Sequence, residues 1–225
     1  MPALTAVHTN AVSIRTNSTF IDGDLTIPQD SVALVIFAHG SGSSRFSSRN
    51  RSVAETLQRG GCATLLLDLL TPHEEAVDLK TREYRFDIDR LASRVIAAID
   101  WAGGVPAIKD LPIICFGAST GAAAALIAAA ERPDVVRAVV SRGGRPDLAG
   151  DALANVQAST LLIVGGRDPE VIELNRTAMR RMHAPVTLTV VPGATHLFEE
   201  AGAMTEVSRM ALDWCLRHAR KAVTS

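Results

Sequence analysis

The chain has 225 residues, of which 47% are hydrophobic and 21% charged, so it can bury a sizeable core and is neither disordered nor fibrous. Its 23 Lys and Arg residues are balanced by 24 Asp and Glu residues, which leaves no basic excess to neutralise phosphates. Only 4% of the residues are aromatic, so few rings are present to stack on bases, and nucleic acid is not an expected partner.

Two short β-branched segments, residues 11–16 and 19–27, predict an antiparallel pair of strands at the start of the chain. The next predicted strands are continuously apolar, which is typical of parallel strands covered on both faces: residues 32–38, 63–67, 112–116, 135–140, 160–164 and 186–191. Helical spacing of apolar residues predicts helices over 50–58, 88–101, 120–130, 170–182 and 204–220. Residues 70–85 are charged and of mixed character, and are predicted to be irregular.

This alternation of strands and helices predicts a single α/β domain over residues 1–225. We expect a three-layer, doubly wound, mostly parallel sheet of about eight strands with an antiparallel start. The connection between the strands at 135–140 and 160–164 is short, so no cap domain is expected. In such a fold the functional residues lie beyond the carboxyl ends of the parallel strands.

One of these strand ends carries a Gly-x-Ser-x-Gly motif, Gly117-Ala118-Ser119-Thr120-Gly121, followed directly by an alanine-rich helix. The motif places a serine on a sharp strand-to-helix turn, where only small residues fit on either side. The amino end of the helix favours negative charge beside the serine. The sequence therefore predicts Ser119 as a nucleophile, and an ordinary glycine-flanked turn is the alternative.

A serine hydroxyl needs a neighbouring base, and the base needs an acid to orient it. His196 follows the last predicted strand, and Asp168 follows the strand before it. Asp168 could instead cap the helix that follows it, and Asp147 is the alternative acid one strand earlier. A buried structural role is the alternative for His196.

From about residue 31 to its end the chain resembles the α/β-hydrolase superfamily, and within it the dienelactone-hydrolase-like group. The motifs that carry the resemblance are His39-Gly40, the Ser119 turn, Gly166-Arg167-Asp168 and Gly193-Ala194-Thr195-His196. The resemblance implies the α/β-hydrolase fold, with Ser119 as nucleophile, His196 as general acid and base, and Asp168 as its orienting carboxylate. The order of these three residues along the chain is the order in α/β hydrolases.

The resemblance also implies an oxyanion hole formed by the backbone N–H groups of Thr120 and Ser41, with Gly42 as the alternative to Ser41. His39 is expected to brace the same loop. Dienelactone hydrolases proper carry cysteine as nucleophile where this chain has Ser119, so the dienelactone substrate is not carried over.

The predicted activity is that of a serine hydrolase acting on a small-molecule carboxylic ester, thioester or lactone through an acyl-enzyme, with no metal or cofactor. Acyl transfer on the same triad and a non-catalytic binding protein with the hydrolase fold are the alternatives. A dinucleotide-binding protein is a further alternative, because Gly40-Ser41-Gly42 and Asp68 imitate the cofactor fingerprint, but Arg45 stands where the third glycine belongs.

Arg45 and Arg142 lie at predicted strand ends, where their guanidinium groups could hold an anionic group of the substrate. Ion pairs with carboxylates on the same rim, such as Asp68, are the alternative.

The odd number and wide spacing of Cys62, Cys115 and Cys215 favour buried thiols in a reducing compartment. The first ten residues lack a secretory signal pattern, and no apolar stretch is long enough to span a membrane. We therefore expect a cytoplasmic protein without membrane association, and leave its oligomeric state open. The histidines expected to face solvent are His8, His73, His183 and His218.

Overall fold

The computed structural model of the chain describes residues 8–219. The strands are β1 (Thr9–Arg15), β2 (Phe20–Thr26), β3 (Ala33–Ala38), β4 (Cys62–Leu67), β5 (Ile113–Ala118), β6 (Val136–Arg142), β7 (Ser159–Gly165) and β8 (Val186–Val191). The helices are α1 (Ser48–Arg59), α2 (Pro72–Thr81), α3 (Ile88–Ala102), α4 (Thr120–Glu131), α5 (Pro169–Met179) and α6 (Ala203–Ala219).

The eight strands form one sheet in the order β1-β2-β4-β3-β5-β6-β7-β8. β2 pairs antiparallel with β1 and with β4, and every other pairing is parallel. The predicted mostly parallel sheet with an antiparallel start is therefore confirmed. A 3-10 segment, Pro146–Asn155, occupies most of the β6–β7 connection, and the described chain has no cap domain there, as expected.

Alternate residues of the buried strands pack against helices on opposite faces of the sheet. Ile36 of β3 belongs to the core under α3, α4 and α5, whereas the next residue, Phe37, belongs to the core under α1 and α6. Both side chains are at most 1% exposed, which is why these strands read as continuous apolar runs. The alanines of α4 let this helix pack closely on the sheet behind the Ser119 turn.

The segment predicted to be irregular contains helix α2, and this prediction was wrong. Thr71 and Glu74 form a capping box: the Thr71 hydroxyl accepts from the Glu74 N–H, and the Glu74 carboxylate accepts from the Thr71 N–H. Pro72 occupies the first helical position, where its missing N–H costs nothing. The helix shows only one buried residue, Asp78, so it has no apolar stripe for periodicity to detect.

The three cysteines are free and buried, as predicted. Burial raises the pKa of Cys62 to about 11 and that of Cys115 to about 12. His218 was wrongly expected to face solvent, because it is half-buried with its ring centroid 4.5 Å from that of Trp214. Within residues 8–219, no helix combines the length and the hydropathy that a membrane span requires.

Candidate active site

Ser119 lies in the turn between β5 and α4 with φ +51° and ψ −123°, a strained backbone conformation for a residue with a side chain. The turn is very tight. A Cβ atom at Gly117 would lie 2.4 Å from Ala122 Cα, and one at Gly121 would lie 2.3 Å from the Ala38 carbonyl oxygen. Glycine is therefore required on both sides, and the half-buried Ser119 is presented at the carboxyl edge of the sheet.

Asp168 and His196 follow the neighbouring parallel strands β7 and β8, and Nδ1 of His196 lies 2.7 Å from Oδ2 of Asp168. Because an ionised carboxylate only accepts hydrogen bonds, Nδ1 carries the proton and Nε2 of the neutral ring is left as an acceptor. Asp168 occupies the N-cap position of α5, yet its side chain makes no capping bond. Asp147, the alternative acid, is paired with Arg145 at 2.7 and 2.9 Å.

Residues at the end of β6 lie against both Ser119 and His196. The N–H of Ser119 donates to the carbonyl of Arg142 at 3.3 Å. A Cβ atom on the next residue, Gly143, would lie 3.0 Å from the His196 carbonyl oxygen and 3.7 Å from its Cε1. No hydrogen bond joins the Ser119 hydroxyl to the His196 ring within the described residues. Such bonds are often long in enzymes without substrate.

The loop after β3 contacts the first turn of α4 through Ser41. The Ser41 hydroxyl donates to the carbonyl of Arg85 at 3.1 Å and lies 3.0 Å from the Thr120 hydroxyl. A Cβ atom at Gly40 would lie 2.9 Å from that of Ser119, so the loop passes directly against the turn. In the part of the chain that the structure describes, the backbone N–H groups of Ser41 and Thr120 have no acceptor.

His39 braces this loop, as the sequence predicts. Its Nε2 accepts from the Leu69 N–H at 3.0 Å, and its Nδ1 donates to the Gly40 carbonyl at 2.9 Å. Burial lowers the pKa of His39, and the bond to Gly40 and the charges of Asp68 and Glu75 oppose that shift only in part. Both ring nitrogens are therefore engaged in a neutral ring, and His39 is not available as a second base.

A buried carboxylate in α2 holds the carbonyl that Ser41 uses, and sequence reasoning missed it. Asp78 is 2% exposed and accepts the N–H groups of Tyr84 and Arg85, each at 2.9 Å, and Nε of Arg85 at 2.7 Å. Burial by itself raises the pKa of Asp78, but these donors outweigh it and hold the pKa below its ordinary value. The capping box before α2 was the available signal for this helix.

A narrow cleft lies between the Ser41 loop and α2. Its walls include residues 39–44, Leu70, Leu79 and Arg85. Ser119 and His196 are not among its lining residues, but the loop that contacts the Ser119 turn is, so the cleft adjoins the site. Within residues 8–219, no group of three or more His, Cys, Asp or Glu side chains is arranged to hold a metal ion.

The two predicted anion-binding arginines have different surroundings. Arg45 forms an ion pair with Asp68, and its guanidinium lies 3.4 Å from Asp24 and 3.9 Å from Asp22. The ion-pair alternative therefore describes Arg45, whose charge is compensated by carboxylates. Arg142, by contrast, is 7% exposed, and no carboxylate of the described residues pairs with it.

The sequence matches relatives of known name. It is 57% identical over 198 residues to a protein of Mycobacterium tuberculosis strain H37Rv that is named as a candidate phosphoribosyl transferase. The match covers 88% of this chain and 44% of that protein, so the chain spans less than half the length of the curated relatives it matches.

Solved structures share the architecture over almost the whole chain. Dienelactone hydrolase from Anabaena variabilis has a TM-score of 0.94 at 52% identity, covering 96% of this chain and 100% of that chain. Est1E from Butyrivibrio proteoclasticus has a TM-score of 0.76 at 18% identity, covering 94% and 99%, which shows the fold alone. The model of the dienelactone hydrolase family matches residues 21–216. These matches support a hydrolase, and the chain belongs to the dienelactone hydrolase family.

Proposed function

We propose that this protein is a serine hydrolase that cleaves a carboxylic ester, thioester or lactone of a small molecule, with Ser119 as its nucleophile. The observation that carries the proposal is the 2.7 Å hydrogen bond between Asp168 and His196. This bond leaves Nε2 of His196 as a proton acceptor at the same sheet edge as Ser119. The strained Ser119 turn and the membership of a hydrolase family support the same reaction.

In the acylation step the Ser119 oxygen attacks the carbonyl carbon of the substrate, and its proton passes to Nε2 of His196. The carbonyl oxygen becomes an oxyanion, which accepts hydrogen bonds from the backbone N–H groups of Ser41 and Thr120. Because these amides have no acceptor within residues 8–219, no existing bond must break when the charge develops. Collapse of the intermediate releases an alcohol or thiol, which takes the proton from His196.

In the deacylation step a water molecule attacks the acyl-enzyme, and His196 accepts its proton. The second intermediate collapses to a carboxylic acid and returns the proton to the Ser119 oxygen. Asp168 stays ionised throughout and stabilises the imidazolium form of His196. The chain's own residues thus complete the cycle with all protons accounted for.

A fluorophosphonate probe tests the nucleophile, because it phosphonylates only a serine that is activated by a base. We expect the native protein to be labelled at Ser119, as located by mass spectrometry of the labelled peptide. Ser119→Ala should abolish labelling and lower kcat for a p-nitrophenyl ester by at least about 10³-fold. Its melting temperature should stay close to that of the parent protein.

Ser93→Ala is the matched control, because Ser93 is an exposed serine on α3 whose hydroxyl donates to the Arg90 carbonyl. It should be labelled like the parent protein. Folded parent protein that hydrolyses none of the esters and carries no label at Ser119 would refute the proposed function.

The name of the curated relatives is not carried over to this chain. It belongs to proteins of which this chain spans 44% of the length. Residues 21–216 of this chain match the model of the dienelactone hydrolase family. We therefore assign hydrolysis to the segment that this chain represents.

A further inference from the structure

Arg142 is a buried charge that has no counter-ion among residues 8–219. It ends β6, is 7% exposed, and points its guanidinium at the first turns of two helices. One terminal nitrogen donates to Oδ1 of Asn50 in α1 at 3.3 Å, and the other lies 4.0 Å from the sulfur of Met204 in α6. Its Nε is buried and has no hydrogen-bond partner among the described residues. A buried charged group lowers the stability of the fold unless an opposite charge or hydrogen bonds compensate it.

A second guanidinium makes the local charge more positive. The positive charge of Arg49 makes protonation of Arg142 less favourable. Burial together with this like charge lowers the pKa of Arg142 to about 10. Arg142 is therefore still protonated at neutral pH. Nε of Arg49 is also buried without a partner within residues 8–219, although its terminal nitrogen lies 3.6 Å from the exposed carboxylate of Glu199.

The helices around Arg142 add to this field. α1 has 12 residues and α6 has 17, and the positive end of each helix dipole lies at its first turn. The Ser47 hydroxyl accepts the Asn50 N–H at the start of α1, and the Glu200 carbonyl accepts the Ala203 N–H at the start of α6. Asn50, in the first turn of α1, is 2% exposed. The region thus contains two guanidinium groups, a buried amide and two helix amino ends, with Glu199 as the nearby carboxylate.

The position of Arg142 relates this region to the proposed chemistry. Its carbonyl accepts the N–H of Ser119 at 3.3 Å. α1 follows the loop that carries Ser41, and α6 follows the loop that carries His196. The Arg142 guanidinium therefore lies between the chain segments that leave the two loops of the candidate active site.

We propose that Arg142, Arg49 and Asn50 form an anion-binding subsite of the active site, which takes a compact oxyanion carried by the substrate. The shared chemistry is that of a phosphate or carboxylate group, which a guanidinium binds with two parallel hydrogen bonds. This inference rests on the proposed function, because it names the class of ester that the site prefers. It excludes Arg45, whose charge is already compensated.

Direct binding tests the subsite without any need for activity. Inorganic phosphate, sulfate and acetate are added separately at constant ionic strength, and the melting temperature is measured. Phosphate at ten times its dissociation constant should raise the melting temperature of the parent protein by roughly 3–6 °C. Acetate distinguishes a site for carboxylates from one for tetrahedral oxyanions.

Arg142→Met should remove this stabilisation. It should not destabilise the protein in the absence of anions, because a hydrophobic side chain of similar length replaces an uncompensated buried charge. Arg49→Met provides a second variant at a half-exposed position, in case the first does not fold. Arg132→Met is the matched control, because Arg132 forms an exposed ion pair with Asp100 at the far end of α4.

Substrate preference is then measured with matched p-nitrophenyl esters whose acyl chains end in a neutral, a carboxylate or a phosphate group. Loss of Arg142 should lower kcat/KM for the preferred anionic ester by roughly 10- to 100-fold more than kcat/KM for the neutral ester. Equal loss on neutral and anionic esters, or no anion effect on the parent melting temperature, would overturn the subsite while hydrolysis persists. If instead no ester is hydrolysed, the proposed function fails while the melting experiment still decides anion binding.

Discussion

Asp168 occupies a position where its carboxylate could serve either of two partners. It precedes Pro169 at the start of α5, where an aspartate normally accepts N–H groups of the first helical turn. The structure instead directs the carboxylate to His196 at 2.7 Å. The side chain of Asp168 is 16% exposed and that of His196 39%, so the carboxylate is shielded while the imidazole stays accessible.

Asp168→Asn is expected to lower kcat/KM for an ester by roughly 10³- to 10⁴-fold, because an amide can present its NH₂ group to Nδ1 and favour the wrong tautomer. Asp147→Asn is the control. It breaks a partly exposed pair with Arg145 and should leave kcat/KM within about threefold. Steady-state kinetics give kcat/KM for both variants. A larger loss of kcat/KM in Asp147→Asn than in Asp168→Asn would make Asp147 the orienting acid.

The turn between β5 and α4 requires glycine because a side chain would clash with neighbouring backbone atoms, and not because the turn needs flexibility. A Cβ atom at Gly121 would lie 2.3 Å from the Ala38 carbonyl oxygen and 2.5 Å from that of His39. Both contacts are with the backbone of a central strand and its continuation, which cannot move without disturbing the sheet and the Ser41 loop. The Thr120 hydroxyl at the start of α4 also lies 3.0 Å from the Ser41 hydroxyl of that loop.

Gly121→Ala should lower the free energy of unfolding by about 3 kcal/mol or more, or prevent folding, because backbone atoms cannot yield as a flexible side chain can. Gly103→Ala is the control: its Cβ atom would lie 3.4 Å from the Asp100 carbonyl in a right-handed conformation. It should be neutral or stabilising by up to about 1 kcal/mol. Urea denaturation compares the two, and similar midpoints would contradict the steric argument.

Helix α2 could not be predicted from the spacing of its apolar residues. Its buried residue is an aspartate, and Leu79 is 70% exposed, so apolar spacing carries no signal. What stabilises it is polar: the capping box of Thr71 and Glu74, and the ion pairs of Glu74 with Arg90 and Arg94. Its function is also polar, since Asp78 fixes the loop whose carbonyl accepts from Ser41. Hydrophobic periodicity does not detect a helix that positions a loop and buries little apolar surface.

The sheet was predictable because burial on both faces leaves continuous apolar runs, as in β3, β4 and β5. The position of Ser119, Asp168 and His196 at one edge of the sheet was predictable because the carboxyl ends of parallel strands meet there. The surroundings of Arg45 and Arg142 could not be predicted from the sequence. Asp24 contacts Arg45 from the antiparallel strand β2, whereas Arg142 contacts Asn50 of α1 and Met204 of α6 and pairs with no carboxylate of the described residues. Long-range packing sets both, and no local spacing encodes it.

The histidines give the whole molecule a pH dependence of known sign. Burial lowers the pKa of His39 below 6.5, and burial with the neighbouring charge of Arg217 lowers that of His218. In the unfolded chain these groups take up protons near pH 6.5, whereas the folded state takes them up only at lower pH. The unfolded state thus binds more protons in this window, and the folded state loses stability as the pH falls.

We therefore expect the free energy of unfolding to decrease from pH 7 to pH 5, with His39 contributing up to about 1.4 kcal/mol per pH unit. The carboxylates of Glu74 and Asp78, whose pKa values are lowered, lose their stabilisation only below their ordinary values of 4.5 and 3.8. Urea denaturation at pH 7, 6 and 5 measures the slope. His39→Gln should flatten it, since glutamine can still accept the Leu69 N–H but cannot take up a proton. His218→Gln should remove the second contribution, and an unchanged slope in the double variant would show that other groups set the pH dependence.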